Sequence, residues 1–425
     1  MSRRRSRSAP RILKPKFSLD CAWCGERHVA TAGPRCSCDG PLKVTIDLAS
    51  VNRGALRDPT LPGLWAWFDF LPISDRGAIV SLGEGNTALV PAPRLAKRLG
   101  LDTLLLKDET RNPTGSFKDR MLSVGVSRAV ELGKKTVAVQ SSGNVGAAAA
   151  AYAARAGLRA VVFVPRTAPE EKLLQAQMYG ADVIRIDHDS PADIFDLLLW
   201  AAGEFGWYLV STAAIYNPFT LEGAKTIAYE IAEQTVFDLP DWVIAPVGGG
   251  GAIGSIWRGF RDLQSLGLVD RLPRMVGVQA EGCAPFIQAV TEGWTPQEAL
   301  TRRWPKIATV AGAIADDVIF DAHVALPAVR ESGGAAVAVS DEETLAMQAA
   351  IAADEGLFVE PAAATTLAAV RALVADGRVR PVDRVVCLLT GNGLKDLGAA
   401  RRTVRQIEPI PLDRAALTAA ANLNR

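Results

Sequence analysis

The chain has 425 residues, of which 49% are hydrophobic and 22% charged, so we expect a large packed core divided among two or three domains. A formal net charge of +1 argues against nucleic acid or an anionic membrane as a global partner. Because no apolar run approaches the roughly 18 residues of a membrane-spanning helix, we expect no membrane contact and a cytoplasmic location.

Residues 1–16 are predicted to form a disordered basic tail. Four arginines lie among serines at its start, and the apolar stretch of a secretion signal is missing. The few charges do not indicate an arm that binds nucleic acid.

Residues 17–80 begin with a cysteine-rich segment that we predict to be a small ribbon, followed by a lead-in to the main domains. Cys21 and Cys24 form one close pair, and Cys36 and Cys38 form another. Four thiolates on two tight turns suit a structural, tetrahedral zinc ion. Two disulfides or four free thiols are the alternatives, although disulfides are disfavoured in a cytosolic chain. His28 lies nearby and is expected to be exposed. The remaining cysteines, at positions 283 and 387, are predicted to be inert core thiols.

Lys118 follows a run of turn-forming residues that starts at Asn112, and Ser116 is predicted to cap the helix that comes next. In the first turn of that helix the dipole disfavours a cation, and burial would lower the pKa of the lysine further. A neutral amine is what a Schiff base with an aldehyde cofactor requires. The alternative is a solvated surface lysine.

From about residue 85 onward, short apolar strands alternate with helices. We predict strands at 136–140, 158–164, 182–186, 242–247, 275–279 and 385–389, and helices at 145–156 and 169–179. Strands that lead through glycine-rich turns into helices indicate an α/β protein with open parallel sheets. Ligands of such sheets gather at the carboxyl ends of the strands.

A run of four glycines follows one of these strands: Gly248, Gly249, Gly250 and Gly251. Consecutive glycines are suited to a place where backbone amides crowd around a phosphate at a helix N-terminus. No Gly-Lys-Ser/Thr sequence closes a P-loop, and the acidic partner of a dinucleotide site is missing, so a nucleotide-binding dehydrogenase is disfavoured. The alternative is a tight strand–helix turn.

A second strand ends in Ser141, Ser142, Gly143 and Asn144. Amides and hydroxyls at the start of a helix suit a carboxylate or another anion, and simple helix capping is the alternative.

Two later segments complete the set. The hydroxyl of Thr390, at the end of the last strand, could hydrogen-bond a heteroaromatic nitrogen, or the segment could be a plain turn. Glu360 precedes a helix that it could cap, or it could orient a ligand, and we favour the structural role. A phosphate cup, a carboxylate cradle, an amine and a donor for a ring nitrogen match pyridoxal phosphate (PLP) with an amino-acid substrate.

On these motifs the chain resembles the threonine synthase family, PLP-dependent enzymes with the tryptophan-synthase-β-like fold (fold type II). The resemblance covers residues 18–412 and includes the cysteine ribbon. It implies two open parallel-sheet domains beside the ribbon: a large PLP-binding domain at 81–120 and 216–412, and a small domain at 121–215. A C-terminal tail would occupy residues 413–425. A homodimer is also implied.

The resemblance assigns roles by motif. Lys118 would be the catalytic residue, holding the cofactor covalently and moving protons. The cofactor would be bound by Phe117, Lys118, Asn144, Gly248, Gly249, Gly250, Gly251 and Thr390. The substrate would be bound by Thr114, Ser141, Ser142, Gly143, Asn217 and Thr220. Phe117 would lie against the cofactor ring, Asn144 at its 3-oxygen and Thr390 at its nitrogen.

Three positions depart from the family pattern. Thr220 stands where relatives usually carry an arginine that helps to bind the substrate's phosphate, Asn392 replaces a histidine, and Met121 replaces a glycine. Loss of a bidentate arginine weakens recognition of a phosphate dianion. Arg111, Arg120 and Lys225 are the candidates to compensate.

We therefore expect a PLP-dependent carbon–oxygen lyase that performs elimination or replacement at the β or γ carbon of an amino acid. The substrate would be O-phosphohomoserine, giving threonine, or a divergent amino acid. An enzyme similar to serine/threonine dehydratases is the alternative. A ligand-binding paralogue without activity is less consistent with the retained lysine.

Overall fold

The computed structural model describes residues 16–29 and 33–422. Most of the predicted tail at 1–16 therefore lies outside the described residues. The strands of the described chain are β1 (Phe17–Cys21), β2 (Arg27–His28), β3 (Leu42–Ile46), β4 (Leu89–Pro91), β5 (Thr103–Asp108), β6 (Thr136–Gln140), β7 (Arg159–Pro165), β8 (Asp182–Ile186), β9 (Tyr208–Leu209), β10 (Trp242–Pro246), β11 (Arg274–Ala280), β12 (Ala335–Val339) and β13 (Arg384–Leu389).

The α-helices are α1 (Pro93–Leu99), α2 (Lys118–Glu131), α3 (Asn144–Ala156), α4 (Glu170–Met178), α5 (Pro191–Phe205), α6 (Leu221–Gln234), α7 (Gly251–Ser265), α8 (Pro285–Thr291), α9 (Pro296–Thr301), α10 (Ala322–Glu331), α11 (Asp341–Glu355), α12 (Pro361–Ala375), α13 (Leu397–Ala400) and α14 (Arg414–Asn422). The last of these lies in the segment predicted as a C-terminal tail. No helix in the described part of the chain has the length and apolar character needed to cross a lipid bilayer.

The larger sheet has six strands in the order β12-β11-β10-β13-β5-β4. All neighbours are parallel except β4 and β5, which pair antiparallel at the edge. Strand β10 is buried along its whole length, as expected for a parallel strand that is covered by helices on both faces. Its Ile244 pairs with Val276 on one side and Cys387 on the other.

The smaller sheet has four parallel strands in the order β8-β7-β6-β9. Its central strand β7 places five consecutive buried residues between the flanking helices. Two open sheets with helical crossovers, parallel except for the edge strand β4, confirm the predicted α/β class. Strands β6 and β8 have the predicted bounds, and the other predicted elements differ from the observed ones by two residues or fewer at each end.

The ribbon is a three-stranded antiparallel sheet in the order β2-β1-β3. Along β1 the side chains of Phe17, Leu19 and Cys21 are buried in alternation with partly exposed ones, the period expected of a strand with one covered face. This face packs against Phe219, whose ring centroid lies 6.1 Å from that of Phe17. The ribbon is thus attached to the segment that leads into α6.

A buried ionic cluster fixes the start of α2. Arg120 donates to Glu109 at 2.7 Å and to Glu230 at 2.6 Å, and Lys107 donates to Glu230 at 2.8 Å. Burial would raise the pKa of Glu230, but Arg120 and Lys107 outweigh burial and hold this pKa below its usual range. Because removing one partner would leave a buried charge unpaired, the cluster holds α2 in place, and with it Lys118.

Candidate active site

A cavity of about 2020 Å³ opens where the carboxyl ends of β6, β10 and β13 approach the start of α2. It exceeds the roughly 300–1,000 Å³ of ordinary small-molecule sites, which leaves room for a cofactor and a substrate together. Most of the predicted site residues line it: Thr114, Phe117, Lys118, Ser141, Ser142, Gly143, Asn144, Gly248, Gly249, Gly250, Gly251 and Thr390. Asn217 and Thr220 do not.

Lys118 is the first residue of α2, and its Nζ lies 4.7 Å from the centroid of the Phe117 ring. The loss of hydration deep in the protein lowers the pKa of this lysine, while the carboxylates of Asp316 and Asp321 act in the opposite direction. We predicted Ser116 as the N-cap of α2, and this was wrong. Phe117 occupies the N-cap position, and its side chain makes no capping hydrogen bond. Ser116 Oγ only accepts a long, 3.4 Å hydrogen bond from the amide of Lys118.

The glycine run forms the turn from β10 into α7. Gly250 has φ +97°, a left-handed conformation that favours glycine, and a Cβ built there would lie 2.6 Å from the Cβ of Ala325. A Cβ on Gly251 would lie 2.7 Å from Asp321 Oδ2. Side chains are therefore excluded where the backbone amides meet the N-terminus of α7, which is the geometry of an anion cup.

Two acids that the sequence analysis missed lie beside this loop. Asp321 is buried; its amide donates to Gly249 O and its Oδ1 accepts from the amide of Ala214, both at 2.7 Å. Asp316 lines the cavity, and a Cβ built on Gly248 would lie 2.6 Å from its Oδ2. Desolvation raises the pKa of both carboxyls, that of Asp321 to about 7, against the field of Lys118. Neither acid belongs to a recognisable motif, so only the fold could reveal them.

The turn after β6 leads into α3, whose N-cap Gly143 carries no side chain; its amide donates to Ser141 Oγ at 3.1 Å. Asn144 Nδ2 donates to Glu360 Oε2 at 2.8 Å, and its buried Oδ1 has no partner among the described residues. The side chains of Ser141 to Asn144 therefore do not cap α3, which was the alternative to ligand binding.

Thr390 and Thr114 also line the cavity, and they differ in whether their hydroxyls already make hydrogen bonds within the protein. Thr390 O accepts from the Phe117 amide at 3.0 Å, while its hydroxyl makes no hydrogen bond within the described chain. Thr114 is buried, and its hydroxyl donates to Asp119 Oδ2 at 2.9 Å. A ligand could thus use the Thr390 hydroxyl directly, whereas that of Thr114 is turned toward Asp119.

Asn217 and Thr220 lie behind the cavity wall. Asn217 Nδ2 donates to Leu209 O at 2.8 Å, and the Thr220 hydroxyl donates to Ser211 O at 2.7 Å. Both target residues line the cavity, so Asn217 and Thr220 support the wall. The sequence pattern could not distinguish a supporting residue from a lining one.

Of the three cations considered as replacements for the missing arginine, only Arg111 lines the cavity. Arg120 is committed to the buried cluster, and Lys225 is buried against Glu222 and Asp262 at 3.2 and 2.5 Å. Arg111 itself pairs with Asp108 at 2.8 Å.

Four further cations line the cavity, and they differ in their partners. Lys172 pairs with a carboxylate at 3.2 Å and Arg303 with another at 2.9 Å. Lys395 donates only to neutral oxygens, of Thr114 at 2.9 Å and of Gln175 at 2.5 Å. Arg401 has no ion pair or side-chain hydrogen bond with any residue that the structure describes. Neither Lys395 nor Arg401 is held in an ion pair within the described chain, although the charges of Glu360 and Asp119 act on Lys395.

The four cysteines of the ribbon come together as a cluster. Cys21 Sγ lies 3.5 Å from Cys38 Sγ and Cys24 Sγ lies 3.6 Å from Cys36 Sγ, and all four atoms lie within 4.8 Å of one another. These separations are too long for disulfides and close to the roughly 3.8 Å edge of a tetrahedron with 2.3 Å zinc–sulfur bonds. His28 is not exposed as expected: its side chain is 18% exposed, and Nε2 lies 3.3 Å from Cys36 Sγ.

The cavity residues fit PLP. The glycine turn excludes side chains from a phosphate-sized cup, Asn144 carries an unpaired oxygen, the Thr390 hydroxyl is free, and Lys118 supplies an amine beside an aromatic ring. One group must adjust, because the carboxylate of Asp316 lies against the amides that a phosphate would use.

Solved structures share this architecture. Threonine deaminase isoform 2 from Solanum lycopersicum, in its processed form, has a TM-score of 0.65 at 20% identity, covering 82% of this chain and 95% of that one. Maize serine racemase has a TM-score of 0.64 at 23% identity, covering 75% and 91%. At these identities the likeness concerns the fold alone.

Sequence relatives are closer. Threonine synthase of Methanocaldococcus jannaschii is 40% identical over 399 residues, 92% of this chain and 96% of the relative. Threonine synthase of Methanosarcina acetivorans is 41% identical over 387 residues, 89% and 92% of the two chains. The model of the family described as "Pyridoxal-phosphate dependent enzyme" matches residues 80–391. The chain therefore belongs to the pyridoxal-phosphate-dependent enzyme family and is a PLP-dependent lyase of the threonine synthase type.

Proposed function

We propose that this enzyme converts O-phosphohomoserine and water into threonine and inorganic phosphate. The observation that carries the proposal is full-length similarity to proteins named threonine synthase, combined with Lys118 at the floor of a cavity large enough for cofactor and substrate. In this reaction the phosphate leaves from Cγ and the hydroxyl of water is added at Cβ.

The residues around the cavity have distinct roles in holding PLP. The amides of Gly248 to Gly251 would bind its phosphate at the N-terminus of α7. Phe117 would support its ring, Asn144 would hold the 3-oxygen, and the hydroxyl of Thr390 would serve the ring nitrogen. When bound, PLP supplies an aldehyde for the amine of Lys118 and a ring that withdraws electrons from the substrate. A neutral hydroxyl at the ring nitrogen makes this withdrawal weaker than an acid would.

The turn after β6 holds the α-carboxylate of the substrate. Ser141 and Ser142 offer hydroxyls, and the amides near the start of α3 add the field of the helix N-terminus. Asn217 acts from behind the wall through Leu209, whereas Thr114 lines the cavity with its hydroxyl turned toward Asp119. Binding the carboxylate here orients Cα toward Lys118.

Lys118 moves the protons. Its amine must be neutral to accept the proton from Cα, and desolvation lowers its pKa in the direction that supplies the neutral form. Asp316 and Asp321 limit this shift, because their negative charge stabilises the ammonium form that arises after proton transfer. The lysine can therefore both take up a proton and return it.

The phosphate of the substrate is directed toward Lys395 and Arg401. Neither cation is held in an ion pair within the described chain, so a dianion bound there need not displace one, although Glu360 and Asp119 partly offset the charge of Lys395. They take the place of the arginine whose position is occupied by Thr220.

A divergent amino acid without a phosphate is the second candidate, and one observation favours it. Thr220 provides no charge, its hydroxyl is committed to Ser211, and two of the three replacement cations are buried in ion pairs. Such a substrate would carry its leaving group at Cβ or Cγ.

One experiment separates the two candidates. Purified enzyme loaded with PLP is incubated with O-phosphohomoserine, and threonine and phosphate are both measured, with Lys118→Ala as the control. Equal amounts of threonine and phosphate, absent in the variant, support the proposal. If the enzyme instead turns over another amino acid in a reaction that requires Lys118, and releases no phosphate from O-phosphohomoserine, the second candidate is supported.

We further propose that Cys21, Cys24, Cys36 and Cys38 bind one structural zinc ion, supported by the near-tetrahedral separation of their sulfur atoms. A homodimer, which the family resemblance implies, and a cytoplasmic location, which the sequence pattern leads us to expect, stay predictions. Light scattering of the purified protein tests the first, and fractionation of the source cells tests the second.

A further inference from the structure

Glu360 is placed as a helix cap but does not act as one. It is the N-cap residue of α12 with extended backbone angles, yet its side chain makes no capping hydrogen bond. The carboxylate instead lines the cavity and accepts from Asn144 Nδ2 at 2.8 Å. Asn144 begins α3 beside the small sheet, while Glu360 begins α12 beside the large one, so this bond joins the two sheets across the cavity.

The backbone is shaped to keep the carboxylate in this place. The amide of Glu360 donates to Gly391 O at 2.9 Å, which fixes its backbone to the turn that follows Thr390. A Cβ built on Gly391 would collide with Glu360 Oε2. Gly391 has no left-handed angle, so the space it leaves is what the carboxylate requires.

The carboxylate determines which way the Asn144 amide faces. An ionised carboxylate only accepts hydrogen bonds, so it stabilises the orientation in which Nδ2 points toward it. In that orientation Oδ1 is buried without a partner within the described chain. A buried amide oxygen without a donor costs free energy, which a ligand that supplies the donor can recover.

We propose that Glu360 is a positioning residue, which holds the Asn144 amide in one orientation toward the cofactor ring and thereby sets cofactor affinity and the electronic state of the ring. This rests on the proposed contact between Asn144 and the 3-oxygen. Glu360 acts through Asn144 and touches neither the reacting carbon of the substrate nor the leaving group.

The pKa of Glu360 lies above its ordinary value. Desolvation raises its pKa, while the hydrogen bond from Asn144 and the charges of Lys395 and Lys172 lower it; Asp396 raises it. Asn144 and Gly391, which contact the carboxylate, carry no acid or base. Once protonated, Glu360 can donate to Oδ1 and no longer favours one amide orientation.

The test uses apoenzyme and PLP, read by binding affinity and by the absorbance of the bound cofactor across pH. Glu360→Ala and Asn144→Ala should each weaken PLP binding by about 10- to 100-fold, the usual effect of losing a hydrogen bond to a charged group. The double variant should bind no more weakly than Asn144→Ala alone, because both changes remove one interaction. Glu360→Gln keeps an acceptor but, like the protonated acid, can also donate to Oδ1, so it should bind PLP more weakly than wild type and more tightly than Glu360→Ala, and it should lose the pH-dependent change in absorbance.

The matched control is Glu342→Gln, a neutralised, exposed glutamate in the first turn of the neighbouring helix α11. It should leave affinity and the pH profile unchanged. If Glu360→Ala does not fold, Glu360→Gln is the deciding variant. An absorbance of bound PLP that changes with pH as in wild type overturns the proposal, and an absorbance that no longer changes with pH supports it.

Additive losses in the double variant, or wild-type spectra in Glu360→Ala, would overturn the role of Glu360 while leaving the enzyme assignment intact. Failure of the proposed function has a different signature, since O-phosphohomoserine would then give no threonine and phosphate while PLP binding kept its dependence on Glu360. Wild-type protein that formed no absorbing, Lys118-dependent complex with PLP would overturn both.

Discussion

The hydroxyl of Thr220 donates a 2.7 Å hydrogen bond to the carbonyl oxygen of Ser211, directly behind the wall of the active-site cavity. The methyl group of the same threonine packs on α2, where a Cβ on Gly125 would lie 2.7 Å from Thr220 Cγ2. A residue at this position therefore holds the cavity wall against the helix that begins with Lys118.

Thr220→Val keeps the shape of the side chain and removes the donor to Ser211. We expect a loss of about 1–3 kcal/mol in the free energy of unfolding, because a carbonyl oxygen in the protein interior loses its partner. Urea denaturation measures the loss. Thr403→Val removes a 2.9 Å hydroxyl-to-carbonyl bond at the surface and should change stability by less than about 0.5 kcal/mol. A large rise in substrate KM with unchanged stability would instead place Thr220 in contact with substrate.

Arg401→Gln tests the proposed site for the substrate's phosphate. Because Arg401 has no ionic partner in the described chain, its removal should leave stability nearly unchanged and raise the KM for O-phosphohomoserine by about ten-fold, more at low salt than at high salt. Arg402→Gln, at the exposed neighbouring position, is the control. Equal kinetics for the two variants at every salt concentration would exclude Arg401 as a phosphate ligand.

Asp316 predicts a pH dependence of cofactor binding. Its raised pKa means that the carboxyl is neutral at low pH and becomes charged as the pH rises through that value, and the charged form competes with a phosphate for the amides of the glycine turn. Affinity for 4′-deoxypyridoxine phosphate, which lacks the aldehyde and so does not report on Lys118, should fall as pH rises. Asp316→Asn should remove roughly ten-fold of that fall.

Asp196→Asn is the matched control, because Asp196 also lines the cavity but is not among the charges that act on the pKa of Asp316. The control should keep the wild-type pH profile. If Asp316→Asn leaves the pH dependence of this affinity unchanged, the Asp316 carboxylate does not compete with the phosphate for the amides of the glycine turn.

Metal removal tests the ribbon. Purified protein should contain about one zinc per chain, and a strong chelator should lower the melting temperature, because a structural metal contributes folding free energy. Cys36→Ser should have the same effect without chelator. Since the ribbon packs on Phe219, which precedes Thr220, the activity of the chelated protein should fall as well. Metal-free protein with unaltered melting would contradict the proposal.

Local patterns were sufficient for much of this molecule. Strand β6 and the turn that follows it were visible because buried parallel strands are continuously apolar and because glycine and serine mark turns. Lys118 could be placed at the start of a helix from the turn-forming residues before it. These features depend on neighbours in the sequence.

Other features depend on contacts between distant segments, which no local pattern reports. Asn217 and Thr220 carry a motif but lie behind the wall, because α6 packs on α2 through Gly125 and Gly223. Asp316 lies in a loop with no motif. Glu360 has the sequence position of an ordinary helix cap, and only the contact with Asn144 of α3 shows that its carboxylate has another role. In each case tertiary packing decides what the side chain does.

The central claim is that Lys118 holds the cofactor covalently, and its most direct measurement is borohydride reduction of the PLP-loaded protein followed by peptide mapping. We expect a single reduced pyridoxyl adduct on Lys118, and none in Lys118→Ala. Lys172 and Lys395 also line the cavity and serve as internal controls. An adduct on either of these lysines, or no adduct at all, would contradict the account.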